Sequence, residues 1–206
     1  MGILSFILRF IAGIVFTIAF VGLTMLVLNA ILPSTLAELK ENMKSSIKEE
    51  VSKETGFNWE QVGDNAAFTA FDKNFDEGIN KLIEPTQKMT MEILYATIVL
   101  FLIGACIIYL AERNIWKTII SVLNSIRNSS FLYAIGFVVM MLVIPSFIEK
   151  ELSKAPSEKF VEMITQSVVN WVQSLFFILI IIFGSLGLVS WITAFGLKKL
   201  HPQLEQ

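Results

Sequence analysis

Four stretches of the chain carry almost no polar side chains, and between them the pattern changes to apolar residues spaced three or four apart. Phe10 to Ala30 passes without a single charge. A hydrocarbon core about 30 Å thick takes roughly 20 apolar residues in a helix. The pattern therefore predicts a first membrane span at 10–32 and further spans at 93–110, 131–148 and 172–197. At 1.5 Å per residue the first reaches about 34 Å, enough to cross with some tilt. The N-terminal run is longer than the apolar core of a signal peptide and lacks a small-residue cleavage pattern, so it reads as a retained span.

The segments between the spans have their own order. Leu36, Leu39, Met43, Ile47 and Val51 form a helical stripe, which Gly56 would stop. Phe68, Phe71, Phe75, Ile79 and Leu82 form a second stripe before Pro85. Together they predict a helical hairpin over 33–92 in which Leu39, Met43 and Ile47 meet Phe68, Phe71 and Phe75, since each stripe needs cover. In 149–171, Pro156–Ser157 opens a helix, and Phe160, Met163, Ile164 and Val168 lead into span four. Ile119, Val122, Leu123 and Ile126 in 111–130 read as a short helix lying in the membrane interface.

Some of these patterns recur. Leu4-x-x-Ile7 followed by Arg9 precedes span one, and Leu123-x-x-Ile126 followed by Arg127 precedes span three. Those two spans end on Ile31–Leu32–Pro33–Ser34 and Val143–Ile144–Pro145–Ser146. The parallels are consistent with two halves that run in the same direction, or with chance in apolar sequence.

Charge sets an expected orientation. Segments 1–9, 111–130 and 198–206 hold Arg9, Arg113, Lys117, Arg127, Lys198 and Lys199 against Glu112 and Glu205. Segment 33–92 holds seven lysines against twelve acids, and 149–171 holds three against four. The positive-inside rule then places both termini in the cytoplasm and both larger loops outside. Trp116 and Trp191 fall near the inner interface and Trp171 near the outer one. The predicted fold class is an all-α polytopic membrane protein of four transmembrane helices, with an extracytoplasmic helical hairpin between the first two and a nine-residue cytoplasmic tail. Low arginine with many Lys, Ile and Asn fits a prokaryotic cell membrane. In outline this topology resembles that of claudins and of large-pore junction channels. The paired cysteines of those first outer loops have no counterpart, since the single cysteine, Cys106, lies in span two, so no residue is carried over.

Reactive chemistry is sparse. Hydrophobic residues make up 54% of the chain and net charge is −2, so nothing points to nucleic acid. The one histidine, His201, and the one cysteine lie far apart in sequence, which leaves no metal or haem ligand set and no cofactor to expect. The cores of spans two, three and four hold no ionisable group, so a proton relay or voltage sensor lacks its parts. Gly184–Ser185–Leu186–Gly187 departs from the spacing of a serine nucleophile motif. In span four, Gly187, Ser190 and Ala194, with Gly184 further round, form a small-residue face suited to close helix packing. Thr24, Asn29, Asn170 and Gln173 are polar in the outer half of the membrane and could line a polar path or hydrogen-bond between helices. The expected function is therefore non-enzymatic: helix packing and assembly in the lipid bilayer, as a homo-oligomer or with a membrane-protein partner. An oligomeric channel or small transporter is the alternative, and a sensor with an extracytoplasmic ligand-binding hairpin is a third.

Overall fold

The computed structural model describes residues 2–55, 66–152, 158–200 and 202, apart from some side chains within the helices. The described residues form five helices: α1 (Ile3–Thr55), α2 (Ala66–Lys88), α3 (Thr90–Glu112), α4 (Ile115–Leu152) and α5 (Glu158–Leu200). Four helical segments are long and apolar enough to cross a membrane: Ile3–Glu49, Asp72–Glu112, Ile115–Ile148 and Ile164–Leu200. The described residues are thus all-helical in their regular structure, and the number of helices long and apolar enough to cross a membrane is the one the apolar pattern predicts.

The helices outrun the apolar stretches. Pro33 and Pro145 stand inside α1 and α4, at the points where the apolar pattern ends the spans. Proline lacks an amide donor and crowds the carbonyl four residues back. Beside Pro33, the Ser34 hydroxyl donates to the Ile31 carbonyl at 2.9 Å and that of Thr35 to Leu32 at 3.2 Å. The stretch 119–126, expected as a separate interfacial helix, forms early turns of α4, since no glycine or proline intervenes before Phe131.

A sharp turn separates α3 from α4. Arg113 takes the left-handed conformation, φ 52°, and its amide donates to the Tyr109 carbonyl at 2.8 Å. Asn114 then caps α4: its Oδ1 accepts from the amides of Trp116 at 2.9 Å and Lys117 at 3.1 Å.

By contacts the chain forms two compact units. The first comprises Met1–Leu28, Thr90–Val138 and Phe177–Gln206. Its interior is aromatic. Phe20, fully buried, lies with its ring centroid 5.7 Å from Phe101, 5.7 Å from Tyr133 and 6.0 Å from Phe183. Phe16 adds a contact to Phe101 at 5.6 Å, and Phe137 one to Phe183 at 5.5 Å. Rings from α1, α3, α4 and α5 interlock at the spacings that aromatic pairs favour. Two glycines let the backbones approach. A Cβ at Gly104 would stand 3.0 Å from the ring of Phe16, and one at Gly187 would stand 2.8 Å from the ring of Phe131. Outward the same helices present Leu102, Leu132, Ile135 and Phe195, each at least 60% exposed. That is the surface a lipid-embedded bundle needs, because lipid tails are as apolar as leucine.

The second unit comprises Asn29–Met89 and Val139–Phe176. Here α1 and α2 run antiparallel, fixed by ion pairs whose numbering rises on one helix as it falls on the other. Lys40 donates to Asp76 at 2.8 Å, and Lys44 donates to Asp72 at 2.6 Å. Lys40 also lies 3.3 Å from Asp72. Leu39, Met43 and Ile83 are buried beside this ladder.

Candidate functional site

The sequence-selected residues fall in several places. On α5, Gly187, Ser190 and Ala194 are buried, in line with Leu179 and Phe183 at intervals of three and four. Gly184 stands off this face, with open space where a Cβ would be. In the first unit the Thr24 hydroxyl donates to the Phe20 carbonyl one turn back, at 2.8 Å. In the second unit Asn170 is exposed and its Oδ1 accepts from Gln166 at 2.9 Å. Asn29 and Gln173 are half-buried in that same unit. Of the expected hairpin contacts, Leu39 and Met43 are buried, and Ile47 and Phe75 are half-buried. The side chains of Phe68, Phe71, Leu82, Val51, Phe160 and Met163 lie outside the described residues, as do Gly56, Pro156, Ser157 and His201. Among the described residues no three His, Cys, Asp or Glu side chains come together as a metal site.

The electrostatics of the second unit centre on its lysine–aspartate ladder. The hydrogen bond from Lys44, followed by that from Lys40, holds the Asp72 carboxyl below the usual carboxylate range. The hydrogen bond to Asp76 holds Lys40 above the usual lysine value. Both shifts stabilise the ionised pair. The pairs are half-exposed and salt-screened, which keeps the worth of each small.

Sequence reasoning missed a groove in the first unit. It lies between α1 and α4 and offers about 560 Å³ of open space. One end is polar, formed by Arg9, Ser125, Asn128 and Ser129; Ile14, Thr17, Ile18 and Leu132 carry it onward along both helices. The two helices run parallel here, and the Tyr133 hydroxyl ties α4 to the Thr17 carbonyl at 3.1 Å.

A charged network lies at the polar end. Arg9 Nη2 stands 2.7 Å from Glu112 Oε1. The same oxygen accepts from the Ser121 hydroxyl at 3.0 Å, and the Glu112 side chain is only 8% exposed. Arg127 donates to Asn128 Oδ1 from Nε at 3.0 Å and from Nη2 at 2.9 Å. The available sequence signal was the pair of arginines, each following a Leu-x-x-Ile stripe. Nothing in spacing alone places Arg9 against Glu112, about a hundred residues on.

No protein-family model, curated protein or solved structure matches the chain.

Proposed function

We propose that this chain is a multi-pass membrane protein that works through assembly, with a second copy of itself or another membrane protein packed on its outward helix faces. The observation that carries this reading is the filled interior of the first unit. Phe16, Phe20, Phe101, Tyr133, Phe137 and Phe183 occupy the space between its helices. Rings in mutual contact take up space between these helices, and the outward faces are the surface the bundle offers to a partner. Gly184, open above its Cα, offers one place where another helix can come close.

In this reading both termini face the cytoplasm, and 33–92 and 149–171 lie outside as helical segments, the first a hairpin. The basic residues of the short flanks support that orientation.

Co-expression of two differently tagged chains tests the proposal. One tag should recover the other from a mild detergent, unless a different membrane protein co-purifies in stoichiometric amount. Recovery of neither would overturn it.

A further inference from the structure

The geometry points to the groove between α1 and α4 as a binding site for one glycerophospholipid with an anionic headgroup. Its phosphate would lie at the Arg9–Asn128 end and one acyl chain would follow Ile14, Ile18 and Leu132. This inference does not rest on the assembly reading.

Three observations select this occupant. The first is the polarity gradient. The groove begins with a guanidinium, an amide and two hydroxyls and continues over aliphatic side chains. From Arg9 to Ile18 it covers about 14 Å of helix. A lipid has the same order of parts along the membrane normal. The second is the donor set. Asn128 Oδ1 is engaged by Arg127, so the groups Asn128 still offers are its two amide hydrogens. Arg9 lines the groove, and its side chain is 37% exposed. The nearby carboxylate, Glu112, already accepts from Arg9 and Ser121. With Arg9 and Arg127 positive and Glu112 negative, this end carries an excess of one positive charge and complements a phosphate.

The third is shape: the groove offers about 560 Å³ of open space along the two helices, room for an acyl chain laid in it. Phe10 and Leu132, which line the groove, are 64% and 62% exposed.

The test compares the parent chain with Gly13→Phe and Asn128→Asp. Gly13 has nothing within 4 Å of its Cβ position, so a ring there enters open space. Asn128 is exposed, and its replacement keeps an acceptor for Arg127 while placing a negative charge at the phosphate end. Each purified protein is offered equal phosphatidylglycerol and phosphatidylcholine in mixed micelles, and bound lipid is counted by native mass spectrometry. The parent should retain about one phosphatidylglycerol per chain in preference to phosphatidylcholine. Asn128→Asp should lower that retention about tenfold, as expected when a hydrogen bond to a charged group is lost. Gly13→Phe should abolish it. Unchanged helical circular dichroism checks folding, and either variant alone decides the outcome. Equal retention of both lipids by the parent would overturn the site. So would undiminished retention in a folded variant, or a Gly13→Phe protein that keeps its lipid but loses a subunit.

Discussion

Replacing Phe20 with alanine removes a ring that touches Phe101, Tyr133 and Phe183 and has no exposed surface. In water such a change loses both transfer energy and packing. Between helices already inserted in lipid the transfer part nearly vanishes, because the unpacked face would meet lipid tails rather than water. What remains is the hole. A missing phenyl ring leaves about 100 Å³, and at about 24 cal/mol per Å³ that is about 2 kcal/mol. The lost ring–ring contacts, about 0.5–1.5 kcal/mol for each pair and not fully additive, bring the expectation to about 3–5 kcal/mol. Unfolding by rising SDS fraction in mixed micelles, followed by tryptophan fluorescence, measures the difference. Phe195→Ala is the control, since Phe195 is 60% exposed and faces lipid in this account. It should cost less than about 0.5 kcal/mol, the usual range for a surface change. If Phe20→Ala is no worse than Phe195→Ala, the ring cluster does not hold the bundle, and the argument for a filled interior fails.

Other expectations follow from particular groups. The Lys40–Asp72–Lys44–Asp76 ladder should weaken at both ends of the pH scale. Asp72 is depressed, so its contribution is present above the ordinary carboxylate value and lost as pH falls through that value to its own lower one. Lys40 is raised, so its contribution is present below the ordinary lysine value and lost as pH climbs through its own higher one. Amide exchange over 36–47 and 69–83, corrected for the intrinsic rate, should show best protection near neutrality and a loss below about pH 4; protection unchanged at pH 3 would contradict the ladder. Ser130 is fully buried, with its hydroxyl oxygen unpartnered among the described residues, so Ser130→Ala should be neutral or slightly stabilising in the same SDS titration. A loss above about 1 kcal/mol would mean that the hydroxyl has a partner. On a Cys106→Ala background, cysteine at Lys48 should react with a membrane-impermeant reagent in intact cells and cysteine at Lys117 should not. The reverse pattern would invert the proposed orientation.

The four spans were legible in the sequence because a charge-free apolar run of about 20 residues suits a membrane-crossing helix and little else. Helix ends were less legible. Pro33 and Pro145 have the look of terminators, yet the hydroxyls of Ser34 and Thr35 bond within the turn around Pro33, and α1 continues. The inner stripe at 119–126 was visible as amphipathic, but its continuity with span three depended only on the lack of a breaker. The ring cluster was hidden for a different reason. In a membrane a phenylalanine suits both lipid and interior, so hydropathy does not separate Phe16, Phe20 and Phe183 from the exposed Phe147, Phe177 and Phe195. The distinguishing signal is steric: Phe16 lies where Gly104 leaves room for a ring, and that pairing exists only once the helices are placed. The groove was hidden likewise, since Arg9, Glu112 and Asn128 become neighbours through tertiary packing alone.

The most direct measurement is the native mass of the purified chain, taken across several mild detergents and in lipid nanodiscs. The account predicts a stable multiple of the chain mass, or the chain with a second membrane protein in fixed ratio, each with bound lipid counted separately. A single chain with no protein partner under every one of these conditions would contradict the claim that this protein acts through assembly.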